Sequence, residues 1–382
     1  MGYFDGLSFF FFLGILLLLA LALGFWEKPL GPFGLIASCL TALFCFWGKP
    51  LEGAYLLFYV LYSFILVQGY ALVRKKWGRV RGPYLLFLGL SLLPLLLHKG
   101  APLFGKSLFA FTGISYLCFR VIGIIIDLYD GVCEGMRADA FLAFLLFFPS
   151  FSSGPVDKRG RFEKDYQRVL PREEYGELAS KGLLFLLWGA AYKFILSAYA
   201  YRMMGYLDTP EARWFHWVGY AYAYSLYLFF DFAGYSKMAV GVAYCLGVEL
   251  PDNFHLPFLA EDMRDFWNRW HISLSHWFRD YVFTRFIMLS TKKKWFKTRL
   301  NRAAVGFLVD MGLMGAWHGL TPSYLAYGLY HGLLLAGTEV YQKKSGFYKK
   351  NKGKKWYRAL SWFVTVHLVV VGFFLFSGKL LG

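Results

Sequence analysis

Long apolar runs constrain this chain more than any other feature of its sequence. The runs at residues 8–26, 56–73 and 359–378 approach the roughly 20 residues that cross the hydrocarbon core of a bilayer as a helix. Lipid cannot satisfy backbone polar groups, so only helices and closed barrels span membranes. The runs lack the alternating pattern of barrel strands. The sequence therefore predicts an all-α, polytopic membrane protein.

The composition and the first segment agree with this class. Charged residues make up 17 % of the chain, against about a quarter in a soluble domain, so they are too few to cover a water-facing surface. No basic residue precedes the run at 8–26, and no small-residue cleavage pattern follows it. We therefore expect this run to remain as a membrane helix. The five cysteines are scattered and predict neither a disulfide framework nor a zinc site.

The formal net charge of +17 is concentrated in loops. Residues 74–82 carry five basic side chains, 291–302 carry six and 342–358 carry eight, and none of these segments contains an acidic residue. Basic loops stay in the cytoplasm, so counting three helices back from 74–82 places the N-terminus outside. The same loops suit either anionic lipid or an acidic cytoplasmic partner.

Apolar segments predict about 11 membrane helices. Residues 139–151 are too short to cross and end at Pro149, Gly154 and Pro155, which indicates a re-entrant or broken helix. Residues 250–290 are too polar to face lipid throughout and indicate amphipathic helices near the interface. The predicted spans are 8–26, 32–47, 54–73, 83–98, 107–126, 181–204, 213–231, 233–247, 303–317, 322–341 and 359–378.

His318 is the strongest candidate for chemistry among the eight histidines. It ends an apolar run, and an ionisable residue at membrane depth is costly and therefore a functional candidate. Glycines recur through 312–319, where they permit close approach of a helix or a substrate. Pro322 then suits the first turn of the next helix. These features predict a helix break at His318 with space around it.

His271 is the second candidate. On one continuous helix, Trp267, His271 and Ser275 would follow each other at intervals of four residues and share a face. Asp265 and Arg269, also four apart, are expected to pair. The same stripe is also compatible with aromatic anchoring at the membrane interface, and the residues alone leave both interpretations open.

Metal and serine-triad chemistry are not indicated. His271 and His276 are five apart, a poor spacing for two ligands on one helix face, and no H-E-x-x-H motif is present. No G-x-S-x-G elbow marks a nucleophilic serine. A histidine acting as general base on an incoming hydroxyl needs fewer parts.

Three motifs in this order resemble the membrane-bound O-acyltransferase family. They are "FDFAGYSKMAVG" (230–241), "DFWNRWHISLSHWFRDYVF" (265–283) and "GAWHG" (315–319), and the resemblance covers most of the chain. The stretch "FFPSFSSGPVDKRGRF" (147–162) resembles the branch that transfers D-alanine in the Dlt pathway of Gram-positive bacteria. Alginate-type O-acetyltransferases are similar over the region around "RWHISLS".

The resemblance implies a fold and a site. The fold is a ring of about 11 transmembrane helices, with re-entrant and interfacial helices around a central tunnel. It implies one membrane domain over 1–382, with a core near 100–341. His318 would lie at the constriction of the tunnel as a catalytic residue, and His271 on the same path. Other tunnel candidates are Trp317, Trp267, Ser275, Asn268, Ser152 and Ser153.

The resemblance also implies a reaction. D-alanine would move from a phosphopantetheine thioester on a small acidic carrier protein to a hydroxyl acceptor, for D-alanylation of lipoteichoic acid in the bacterial cell membrane. The protein itself would bind no metal or cofactor, and no nucleic acid. The immediate acceptor, whether lipoteichoic acid, a peptide or another Dlt protein, is left open. The alternatives are polysaccharide O-acetylation by the same fold and a transporter that passes an activated intermediate without chemistry.

Overall fold

The computed structural model describes residues 3–4, 6–106, 108–209 and 211–381, and these residues form helices joined by short loops. Within them the only extended pairing is an isolated antiparallel bridge between Phe254 and Trp270. The helices are α1 (Leu7–Phe25), α2 (Leu30–Phe46), α3 (Pro50–Trp77), α4 (Arg81–Gly100), α5 (Ile114–Asp130), α6 (Ala138–Leu146), α7 (Arg159–Gln167), α8 (Arg172–Ala190), α9 (Ser197–Leu207), α10 (Trp214–Cys245), α11 (Met263–Trp267), α12 (Ile272–Phe278), α13 (Thr284–Lys292), α14 (Arg299–His318), α15 (Pro322–Lys344), α16 (Gly346–Asn351) and α17 (Lys355–Phe376).

The helices confirm the predicted class, a multi-pass α-helical membrane protein. Among the described residues, five helical segments are long and apolar enough to cross a bilayer, and α2 is a shorter apolar helix. A π-helical turn at Ala191–Leu196 separates α8 from α9 within the fourth of these segments. The five segments are Leu7–Phe25, Pro50–Trp77, Arg81–Phe104, Arg172–Leu207 and Lys355–Phe376.

Two of the predicted spans are parts of one helix. Residues 213–231 and 233–247 are not two spans, because Trp214–Cys245 is a single helix of 32 residues. The helix contains no proline, and its separate glycines at 219, 234 and 241 are insufficient to end it, since one interior glycine costs only about 1 kcal/mol. The predicted count of about 11 membrane helices is therefore not confirmed.

The chain forms two compact units. The first contains Met1–Ala190 and Gly234–Pro251, and the second contains Ala191–Ala233 and Asp252–Gly382. The candidate catalytic histidines both belong to the second unit. The expectation of one membrane domain with a core near residues 100–341 stays a prediction.

A buried arginine in the first unit supports the predicted broken helix. Helix α6 ends at Leu146 and a single 3₁₀ turn follows at Phe148–Ser150. Arg120 of α5, 4 % exposed, donates to the carbonyl oxygens of Phe144, Leu145 and Ser150 at 2.6, 2.7 and 2.5 Å. A helix end leaves such carbonyls without partners, and a buried cation is tolerated only when it is hydrogen-bonded. Each therefore satisfies the other, and the prediction of a broken helix at this point is confirmed.

In the second unit, two glycines bring α14 and α15 into backbone contact. A Cβ at Gly315 would lie 2.5 Å from the carbonyl oxygen of Tyr324, and one at Gly328 would lie 2.5 Å from that of Met311. The predicted role of Gly315 in close helix approach is confirmed. A Cβ at Gly312 would meet nothing within 4 Å, so helix contact does not explain that glycine.

Replacing Arg120 by methionine should strongly destabilise the first unit. The change leaves three buried carbonyl oxygens without donors, and we expect a loss of about 3 kcal/mol in the free energy of unfolding. Thermal unfolding of the detergent-solubilised protein measures the effect. Arg137→Met is the matched control, because Arg137 pairs with Asp139 at the exposed start of α6 and its side chain is 74 % exposed. An equal shift in both variants would contradict the role given to Arg120.

Candidate active site

Both candidate catalytic histidines line one small cavity in the second unit. Its volume is about 90 Å³, and its walls are almost entirely apolar. Residues far apart in the chain meet there, from α10, α14, α15, α17 and the segment around α11 and α12. The lining residues are Leu228, Phe232, Trp267, Trp270, His271, Leu274, Met314, His318, Tyr327, Phe373 and Phe376.

His318 is the last residue of α14 and is half-buried. The chain leaves the helix at Gly319, and α15 begins at Pro322, as the sequence predicts. The His318 ring centroid lies 4.9 Å from that of Phe376, edge-on at 86°. Trp317 does not line the cavity; its ring packs against His318 with centroids 4.6 Å apart. Aromatic side chains therefore fix the position of the imidazole.

His271 does not lie within a helix, so the predicted single-helix stripe is wrong. Helix α11 ends at Trp267 and α12 begins at Ile272. Between them His271 adopts the left-handed conformation, with φ 44° and ψ 50°, which costs a non-glycine residue about 1 kcal/mol. The predicted pair of Asp265 and Arg269 is confirmed, with Nε and Oδ1 2.7 Å apart.

The helix breaks here because a preceding loop forms backbone hydrogen bonds with the residues on either side of His271. The amide of His255 donates to the carbonyl of Arg269 at 2.9 Å, and the amide of Ile272 donates to the carbonyl of Asn253 at 3.0 Å. These bonds use backbone groups that a continuous helix would occupy. Long-range pairing therefore overrides the helical periodicity of residues 263–278.

The side chain of Asn253 fixes both the position and the tautomer of His271. Its Oδ1 accepts hydrogen bonds from the amide and hydroxyl of Ser273 at 3.2 and 2.6 Å. The same Oδ1 lies 3.2 Å from Nδ1 of His271. Because Oδ1 is an acceptor, Nδ1 of the neutral imidazole must carry the proton, and Nε2 then has the free lone pair. Nothing in the sequence marked Asn253, which precedes His271 by 18 positions in a loop.

Burial keeps His271 uncharged. The residue is 4 % exposed and lies between two short helices, outside the five membrane-crossing segments. Burial lowers the pKa of His271 well below its usual value, and the neighbouring His318 lowers that pKa further. The imidazole is therefore neutral at physiological pH, as a proton or hydrogen-bond acceptor requires.

A second cavity of about 220 Å³ lies beside the first. Trp267 and Met314 line both cavities, so the two cavities adjoin at these side chains. The predicted tunnel residues Asn268 and Ser275 line the larger cavity, together with His276. Three of the predicted tunnel residues, including Trp267, therefore meet along this pair of cavities.

The remaining two predicted residues lie in the first unit. Ser152 and Ser153 line neither of these cavities. The Ser152 hydroxyl is 2.9 Å from that of Tyr235, within the same unit. Their assignment to a substrate tunnel stays a prediction.

One buried histidine was missed at the sequence level. His331 of α15 is fully buried, with its ring centroid 4.7 Å from Tyr327 and 5.3 Å from Trp267. Neither ring nitrogen has a hydrogen-bond partner among the described residues. The signal was available, because His331 is an ionisable residue inside a predicted span. It lies directly behind two residues of the cavity wall.

Comparison with known proteins gives a consistent result. The sequence model of the membrane-bound O-acyltransferase family, MBOAT, matches residues 134–369. "Teichoic acid D-alanyltransferase" of Bacillus subtilis is 39 % identical over 98 % of this chain and 98 % of its own length. The protein of the same name from Streptococcus thermophilus is 36 % identical, over 97 % of this chain and 94 % of its own. "Probable alginate O-acetylase AlgI" of Pseudomonas fluorescens is 31 % identical over 70 % of this chain and 51 % of its own length.

The lowered pKa of His271 predicts how the free energy of unfolding depends on pH. Below about pH 6.5 the unfolded chain binds a proton at this residue while the folded chain does not. The free energy of unfolding should therefore fall as the pH drops from 6.5, by up to about 1.4 kcal/mol per pH unit from this residue. His271→Gln should give a shallower pH dependence, measured by thermal unfolding between pH 8 and pH 5.

The control for this experiment is His216→Gln, at the start of α10, where Nδ1 accepts from the amide of Arg213 at 3.0 Å. It should leave the pH dependence close to that of the wild type. An unchanged slope in His271→Gln would contradict a buried, neutral His271.

Proposed function

Since this chain belongs to the membrane-bound O-acyltransferase family, we propose that it transfers D-alanine to teichoic acid. The donor is a D-alanyl thioester on the phosphopantetheine of a small carrier protein, and the acceptor offers a hydroxyl group. Two relatives named teichoic acid D-alanyltransferase align with the chain almost end to end, which favours this reaction. The alginate O-acetylase relatives align over about half of their length, so polysaccharide O-acetylation is the second candidate.

The observation that carries the proposal is the placement of His318 and His271 on the wall of one cavity. The cavity is small and apolar, so charges that develop inside it are weakly screened. Two imidazoles on its wall can take a proton, and no serine, threonine, cysteine or acidic side chain lies among its described lining residues. This favours direct attack of an acceptor hydroxyl over a covalent acyl-enzyme.

His318 acts as the general base. Its imidazole removes the proton of the acceptor hydroxyl while that oxygen attacks the thioester carbonyl. The C–O bond forms, the C–S bond breaks, and the proton passes to the departing thiolate, which restores neutral His318. Help of this kind typically contributes about 10² to 10⁴ in rate.

His271 orients the acceptor. With Nδ1–H directed to Asn253, its Nε2 can accept a hydrogen bond but cannot donate one to an oxyanion. Orientation of a hydroxyl therefore suits this tautomer better than stabilisation of the transition state. Accurate placement of the reacting groups also lowers the barrier by itself.

The basic segments suit the partner and the topology. The carrier is an acidic cytoplasmic protein of the Dlt system, and segments 74–82, 291–302 and 342–358 attract it and lie in the cytoplasm. The N-terminus then lies outside a bacterial cell membrane. The chain acts as one membrane domain with a core near 100–341, and phosphopantetheine arrives with the carrier rather than being bound permanently.

Replacing His318 by alanine should lower D-alanyl transfer by at least 10²-fold, because the general base is lost. Purified protein in vesicles, given D-alanyl carrier or an acetyl donor, measures both reactions with teichoic acid. His367→Ala is the control, since His367 is exposed on α17 and bonds the carbonyl of Phe363. Full transfer by His318→Ala would exclude the base role, and a preference for the acetyl donor would favour the second candidate.

Asn253→Ala should lower transfer by roughly 10² because His271 loses its anchor. Asn253→Asp keeps an acceptor oxygen and should recover part of the rate. The added carboxylate raises the pKa of His271, so the acidic limb of the pH–rate profile should move to higher pH. A profile unchanged in shape and position in Asn253→Asp would show that Asn253 does not act through His271.

A further inference from the structure

Asp310 of α14 is a buried acid that the reaction as described does not use. It lines the 220 Å³ cavity and is 8 % exposed. Its Oδ1 is buried and has no hydrogen-bond partner among the described residues. Buried polar groups are almost always satisfied, and the exceptions call for an explanation such as an absent ligand.

The two arginines of the same cavity are already paired with other acids. Arg264 forms an ion pair with Glu339, and Arg279 pairs with Asp280 at 2.9 Å. Neither pairs with Asp310, so Oδ1 keeps no hydrogen-bond partner among the described residues. A ligand that offers a hydrogen-bond donor would remove the cost of this unmatched acceptor.

Helix geometry sets the distance from Asp310 to the reacting centre. Asp310, Met314 and His318 follow each other at intervals of four residues on one helix, so their side chains lie along one face. Eight residues at 1.5 Å each separate Asp310 from His318 by about 12 Å along the axis. Met314 between them belongs to both cavities. The two cavities are thus arranged in sequence along this face.

The pantetheine arm that the proposed function requires is a linear chain with two amides. From ordinary bond lengths, the first amide nitrogen lies about 4 Å from the thioester sulfur in an extended arm, and the second about 9 Å. With the thioester carbonyl beside His318, the second amide reaches the depth of Asp310. The N–H of this second amide then lies near Oδ1 of Asp310, which has no hydrogen-bond donor among the described residues.

We propose that Asp310 accepts a hydrogen bond from the second amide of the donor's pantetheine arm and so positions the thioester at His318. This inference rests on the proposed function, because it takes the donor to be a pantetheine thioester. Asp310 is a positioning residue, not a catalytic one. It also selects long, amide-bearing donors over short thioesters.

The test measures binding of two donors to the full-length protein in detergent, without acceptor. D-alanyl-pantetheine has both amides, and D-alanyl-N-acetylcysteamine has only the first. The wild type should bind the pantetheine thioester about 3- to 10-fold more tightly than the shorter thioester, as expected for the net contribution of one hydrogen bond. Asp310→Leu should abolish this preference by weakening only the longer donor, and Asp310→Asn should keep part of it.

Met311→Leu is the matched control, because Met311 lines the same cavity and has no strong hydrogen-bond acceptor. It should retain the preference. A wild type without preference, an Asp310→Leu variant that keeps it, or equal weakening of both donors would each overturn the proposal. These outcomes are separate from the transfer assay with His318→Ala, so failure of the arm contact is distinguishable from failure of the proposed reaction.

Discussion

The site depends on one acceptor atom, Oδ1 of Asn253. This oxygen accepts hydrogen bonds from the amide and the hydroxyl of Ser273, and it lies within hydrogen-bond distance of Nδ1 of His271. Through these contacts a loop residue determines where α12 begins, which backbone conformation His271 adopts and which ring nitrogen is free. A buried amide with several partners is worth more than its separate hydrogen bonds, because neighbouring bonds in a low-dielectric interior strengthen each other.

The second requirement is that α14 stops at the right depth. Contact at Gly315 and Gly328 packs α14 against α15, and the turn before Pro322 then leaves His318 at the end of its helix. A helix end presents a side chain to a cavity without a following turn to cover it. The two histidines therefore line the same cavity from different local structures. His318 lies at a helix end, and His271 lies in a loop with a left-handed backbone conformation.

Several features were predictable because lipid allows few solutions. Apolar runs of about 20 residues specify helices, and Pro322 specifies a helix start after His318. Two predictions about helix boundaries were wrong, because the local sequence pattern alone did not decide where the helix ends. Trp214–Cys245 is one helix because its separate glycines do not break it. Residues 263–278 are not one helix, because the loop at 253–255 takes their backbone hydrogen bonds.

The sequence by itself determined the class of protein and the resemblance to a family of acyltransferases, and it marked His318 and His271 as candidates for chemistry. These follow from residue types, helical length and motif order, which are local properties. Only the tertiary structure decided that the two histidines share a cavity and that Asn253 sets the tautomer of His271. It also decided that Oδ1 of Asp310, in the second cavity, has no hydrogen-bond partner among the described residues. Asn253 and His271 are 18 positions apart in the chain, and His271 and His318 are 47 apart. Contacts over such separations exist only when packing brings the residues together.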